Sequence, residues 1–194
     1  MSALRRGFKT WCENAARGYR RELQLPPIAP LDPRLLAQHL GITIWTPADI
    51  KGFSSKDVFQ LTVTARESWS AATLRDGNAS LIIINNGHAL TRQNNSIAHE
   101  IGHIILQHEP ARMYVTDDGL MMMSEYNPIH EEEATWFAGA ILVPRDALLD
   151  VARRGLTDRV IAEQYGVSVA VLQMRRRLTG VDIQLSRRRG VWAP

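Results

Sequence analysis

The chain has a single cysteine, Cys12, among 194 residues, so no intramolecular disulfide can hold its fold. Cys12 falls on the apolar stripe of the first helical segment, which suits a reducing compartment, and the cytoplasm is the expected location. Long apolar runs are also missing. The longest, such as residues 81–84, fall far short of the ~20 residues that cross a membrane. No leader-like apolar stretch follows Arg5 and Arg6, so neither export nor a membrane is expected. Charge is nearly balanced, with 23 Lys and Arg against 20 Asp and Glu for a net +3, which argues against a polyanion as the main partner. What is present is the 45% hydrophobic content of an ordinary globular protein, long enough for one core and a modest appendage.

Leu4, Phe8, Trp11, Cys12, Ala15 and Tyr19 keep a helical stripe that ends before Pro26 and Pro27. Asp32 and Pro33 read as the N-cap and first residue of a short helix stopped by Gly41. Strands are expected at Ile42–Trp45, at 69–74 and at 81–84, the last two joined as a hairpin through Arg75-Asp76-Gly77-Asn78. The strand at 81–84 is a candidate for receiving an extended peptide by strand addition, although a plain core strand is the simpler reading. Residues 109–127 show no clear period. With Asp117-Asp118-Gly119 and three methionines, Met121, Met122 and Met123, they read as a loop, a lid or a substrate surface.

Chemistry enters at His99-Glu100-Ile101-Gly102-His103, an H-E-x-x-H run inside a helical pattern. At about 100° per residue the two histidines stand one turn apart on one face, close enough to bind one metal ion. Glu100 projects beside them, where its carboxylate can take a proton from a metal-bound water, the arrangement of zinc metalloproteases. Ile97, Ile101, Ile104 and Ile105 form a core-facing stripe on another side, so the histidines face a second surface. Ala98 and Gly102 are small enough to let another element come close.

Such a site needs a third protein ligand, and the next helical pattern, 130–144, supplies candidates. It opens acidic, as the helix dipole favours, and Pro144 marks its end. On a helical projection Glu131 shares a face with Ala134, Ala138 and Leu142, whereas Glu133 points with Trp136 and Ala140. Glu131 is the favoured ligand, with Glu133 and His130 as alternatives. Removal of Glu133 is then expected to leave the metal bound.

The run from His99 to Leu106, then Glu131-Glu132-Glu133-Ala134, Phe137-Ala138 and Leu142-Val143-Pro144, resembles the ImmA/IrrE family of zinc metallopeptidases over roughly residues 55–180. The resemblance implies that His99, His103 and Glu131 bind Zn2+ and that Glu100 is the general base. It also implies a regulatory endopeptidase whose substrate is a DNA-binding repressor or an antitoxin encoded nearby. Thr135 stands where the family usually has Asn or Asp, which puts a supporting hydrogen bond in doubt.

Beyond residue 150, Ala162, Gly166 and Leu172 have the spacing of a helix-turn-helix, with Ser168 as the cap of its second helix. Arg175, Arg176 and Arg177, then Arg187, Arg188 and Arg189, make this end basic. DNA is therefore a second, weaker candidate partner, because the presumed recognition helix starts Val169-Ala170-Val171, with Gln173 the only side chain at that start suited to reading a base edge. The expected architecture is α+β. A zincin-like core at 55–150 holds a small sheet and the active-site helices, an N-terminal helical region at 1–54 packs on it, and a small helical subdomain with a basic tail occupies 151–194. The alternative function is a DNA-binding or partner-sensing regulator, of toxin-antitoxin or phage type, whose zinc site is structural or vestigial. For the oxyanion-stabilising donor the candidates are His108, His130, Tyr114 and Tyr126.

Overall fold

The computed structural model describes residues 4–109, 113–115, 121–123 and 127–190, with backbone alone at 113–115, 121–123 and 188–190. The fold is α+β, as expected. Helix α1 (Phe8–Glu22) buries Phe8, Cys12 and Ala16 at fourfold spacing. The same stripe continues to Arg20, whose buried guanidinium donates to the carbonyls of Ala16, Ala29 and Ile141. Helix α2 (Pro33–His39) begins at Asp32, whose carboxylate accepts from the Arg34 N–H with Pro33 in the first turn.

Three strands follow the expected order, β1 (Ile42–Trp45), β2 (Ala71–Asp76) and β3 (Ala79–Ile84). The hairpin runs further into its turn than the sequence suggests, because Asp76 pairs with Ala79 and only Gly77 and Asn78 remain as a two-residue loop. Gly77 takes the positive φ of 55° that such a loop needs at its first position. In the sheet β3 is central, parallel to β1 and antiparallel to β2, so both of its edges are already paired. Strand addition at 81–84 is thereby excluded. Ile82 and Ile84 point into the core instead, and the free edge beside the next helix belongs to β2. Between β1 and β2 a short helix α3 (Ser55–Phe59) and two helical turns lead across the surface with no buried residue.

Helix α4 (Leu90–Ile105) lies under the sheet with Ile97 and Ile101 fully buried. Helix α5 (Pro128–Leu142) is capped by Asn127, whose side chain accepts from the N–H groups of Ile129 and His130. Its last seven residues, 136–142, are all buried, with Thr135 before them exposed, so α5 is the central rod of the molecule. It crosses α4 where the small residues predicted it would: a Cβ built on Gly102 would stand 3.2 Å from the Ala134 Cα. Two further strands, β4 (Met113–Val115) and β5 (Met121–Met123), pair antiparallel, so the segment read as a loop carries a small ribbon.

The C-terminal part, α6 (Arg145–Arg153), α7 (Asp158–Gln164), α8 (Val169–Thr179) and α9 (Val181–Gly190), forms a second apolar cluster. Leu142, Val143, Leu148, Ile161, Tyr165 and Leu172 build it, together with Ala98 of α4 and Ala138 of α5. Gly166 takes a φ of 60° in the turn between α7 and α8, and the Ser168 side chain accepts from the Val171 N–H, as the helix-turn-helix spacing predicts. No helix among the described residues is long and apolar enough to cross a membrane.

Candidate metal centre

Helices α4 and α5 cross at Gly102 and Ala134, and one turn away this approach brings His99, His103 and Glu131 together. The Glu131 carboxylate spans both rings, with Oε2 3.1 Å from His99 Nε2 and Oε1 3.3 Å from His103 Nε2. The two Nε2 atoms stand 3.0 Å apart. Ligands at the ~2.0–2.1 Å of a tetrahedral zinc site lie about 3.3 Å from one another, so these separations fit one ion. Two nitrogens and one carboxylate would leave a tetrahedral ion one further position. Among the described residues this is the cluster with metal-ligand geometry. Of the alternatives to Glu131, neither is brought into it.

Burial, reinforced by the neighbouring His99, His108 and His130, pushes the His103 imidazole down to about 3. The ring is therefore neutral near pH 7, the form that binds a metal. Glu100 points from α4 toward the sheet, where its Oε2 accepts a 2.5 Å hydrogen bond from the Thr73 hydroxyl on β2. Burial raises its pKa, while the Thr73 hydrogen bond and the charge on His99 oppose the rise. Glu100 is thus close to the ligand cluster without belonging to it.

Several supporting groups are not apparent in the linear motif. Thr73 and Arg75 occupy alternate positions of β2, and both point inward. A polar pair on the inner face of the first strand of the hairpin that precedes H-E-x-x-H is the signal that marks them. Arg75 donates to the carbonyls of His103 and His108 at the end of α4, at 2.6 and 3.2 Å, and thereby ties that helix to the sheet.

The candidates for the oxyanion donor fare differently. His108 is 5% exposed, and both of its ring nitrogens are taken up, by His103 and by Glu133. His130 stacks flat on His108 with ring centroids 4.2 Å apart. The Tyr114 side chain and Tyr126 lie outside the described residues, as do Asp117, Asp118, Gly119, and the side chains of Arg188 and Arg189. Thr135, the departure from the family pattern, is exposed.

Two arginines of the basic cluster, Arg175 and Arg176, are consumed internally, while Arg177 and Arg187 stay exposed. Arg175, expected on a basic surface, is fully buried because it links three helices: its Nη2 donates to Glu13 of α1, its Nε to the Val143 carbonyl, and its guanidinium faces the Trp136 ring. Arg176 is held by Asp158 and Asp182, and Gln173, the single base-reading candidate, donates to Asp158.

The family model described as Peptidase M78, IrrE N-terminal-like domain, matches residues 56–177. The chain belongs to this family. The match covers β2 to α8 and includes both helices that carry the cluster, so a metallopeptidase-type domain stands on the same residues as the geometry. It also runs through α6 and α7, so the M78 domain includes the helix-turn-helix-like unit. None of the curated proteins compared with the chain matches it.

Proposed function

We propose that this M78 domain is a zinc-dependent endopeptidase, with His99, His103 and Glu131 as ligands and Glu100 as general base. The observation that carries the reading is Glu100 itself: a carboxylate next to a three-ligand cluster, held by Thr73 and not a ligand. A structural site has no use for such a group. When bound, zinc supplies a Lewis acid for the peptide carbonyl and for water.

The chain's own residues do the rest. Thr73 occupies Oε2 of Glu100 and so orients the carboxylate, leaving Oε1 to accept a proton and later return it to the leaving amine. The raised pKa shortens the gap between this base and the groups it must exchange protons with. An extended substrate backbone can lie along the free edge of β2, which carries Thr73. The substrate we propose is a DNA-binding repressor or an antitoxin encoded beside this protein, and the family resemblance is what supports it.

The test pairs metal analysis with incubation against that neighbour. His99→Ala, His103→Ala and Glu131→Ala should each lose most of about one zinc per chain. Glu100→Gln should keep zinc and fold but stop cleavage, because it retains hydrogen bonding and loses the base. Equal cleavage or an equal cellular effect by Glu100→Gln overturns the proteolytic reading, and full metal retention by the histidine variants overturns the metal reading.

A further inference from the structure

The end of α4 is shaped to bring one more histidine back against the metal-binding pair. Leu106 closes the helix, and Gln107 adopts a left-handed φ of 54° that a non-glycine residue rarely takes. The Gln107 N–H then bonds the Ile104 carbonyl and the His108 N–H bonds the His103 carbonyl at 3.0 Å, the paired bonds of a Schellman ending. This turn folds His108 over the last turn of the helix, onto the side of His103 away from the cluster. His108 Nδ1 stands 3.0 Å from His103 Nδ1, and His108 Nε2 stands 3.0 Å from Glu133 Oε2. Arg75 clamps both carbonyls from the sheet, and His130 covers the His108 ring.

Proton placement along this chain is dictated from one end. An ionised carboxylate accepts only, so His108 must donate to Glu133 through Nε2. The neutral His108 ring then has a bare Nδ1, which must accept from His103. His103 therefore carries its proton on Nδ1 and presents a lone pair at Nε2, the atom that faces His99 and Glu131. The opposite arrangement would put a proton on the nitrogen that a metal needs.

We infer that Glu133 and His108 are positioning residues that hold His103 in its metal-binding tautomer through a Glu133–His108–His103 hydrogen-bond chain. The inference rests on the reading of His99, His103 and Glu131 as ligands. It reverses the expectation that Glu133 is dispensable for metal because its projection points away from the cluster. The direction is as projected, but the carboxylate acts on the ligand through an intervening ring. Partners of this kind typically contribute 10–100-fold to metal affinity.

The experiment is a chelator-competition titration of the full chain with Zn2+. His108→Leu and Glu133→Ala should weaken zinc binding by about 10–100-fold. His108→Asn should recover most of that loss, because its Oδ1 can accept from His103 Nδ1 where leucine cannot. A role in packing alone gives no such recovery, since Asn fills the buried site less well than Leu. In zinc-loaded protein with 15N-labelled histidines, a coupling between the His103 and His108 Nδ1 atoms should be seen across their hydrogen bond. Wild-type affinity in a folded His108→Leu variant overturns the inference, and so does absence of the coupling, which decides the matter should His108→Leu not fold. If the wild type itself binds no zinc, the ligand reading fails and takes this inference with it. If the wild type binds and His108→Leu binds equally, only this inference fails.

Discussion

Cys12 illustrates what a single residue owes to its neighbours. Its place on the α1 stripe makes it buried, and burial, reinforced by the adjacent Glu13, pushes the thiol up from 9.0 to about 12. The folded state therefore favours the protonated thiol. Stability from this source is complete below 9.0 and fades as pH rises toward about 12, because the unfolded chain loses its proton first. The native protein should resist iodoacetamide at neutral pH and react at once in denaturant. The melting-point difference between wild type and Cys12→Ala should shrink above pH 9.0. Native labelling at the unfolded rate would show that Cys12 is not enclosed.

Helix α5 carries the element-scale argument, because both apolar clusters share it. One side meets α1 through Phe137, against which Trp11 and Tyr19 pack. Another accommodates Arg175 of α8, and Gly139 makes the room: a Cβ there would stand 2.6 Å from the Arg175 Cδ. Since that side chain is pinned by Glu13 and the Val143 carbonyl, it cannot step aside. Gly139→Ala should cost about 1–3 kcal/mol through overpacking. Arg175→Ala should cost on the order of 3–5 kcal/mol, since it takes the charge partner from the largely buried Glu13 carboxylate and leaves it only the Arg145 N–H. Gly18 is the control, a glycine of α1 with nothing within 4 Å of its added Cβ. Gly18→Ala should stabilise by up to about 1 kcal/mol. Urea unfolding of the three variants checks the order, and a neutral Gly139→Ala would mean that α8 does not seat as described.

At the scale of the whole molecule, the C-terminal helices act as an inward-facing brace. Arg175 is spent on α1 and α5, Arg176 on Asp158 and Asp182, and Gln173 on Asp158, while Arg177 and Arg187 remain exposed. Duplex DNA should therefore bind weakly, without sequence preference, and less as salt rises. Arg177→Ala should flatten the salt slope by about one, the effect of losing one phosphate contact. A sequence-specific, salt-tolerant footprint would favour the regulator reading over the peptidase.

Local chemistry was legible without a structure wherever neighbours in sequence are neighbours in space. The H-E-x-x-H face, the Asp32-Pro33 start, the strand at Ile42–Trp45 and the Ser168 cap all follow from spacings of one to four residues. The place of Glu131 beside the two histidines was reachable by the same logic, because its face also carries Ala134, which admits α4. Groups whose partners are distant in sequence were not. Thr73 meets Glu100 from 27 residues away, and Glu133 meets His108 from 25. Arg175 lies 162 residues from Glu13, so no periodicity could separate it from the solvent-facing Arg177. Spacing within a helix is set by the backbone, whereas contact between elements is decided by which side chains leave room for one another. Gly102 and Gly139 are where this protein made that choice.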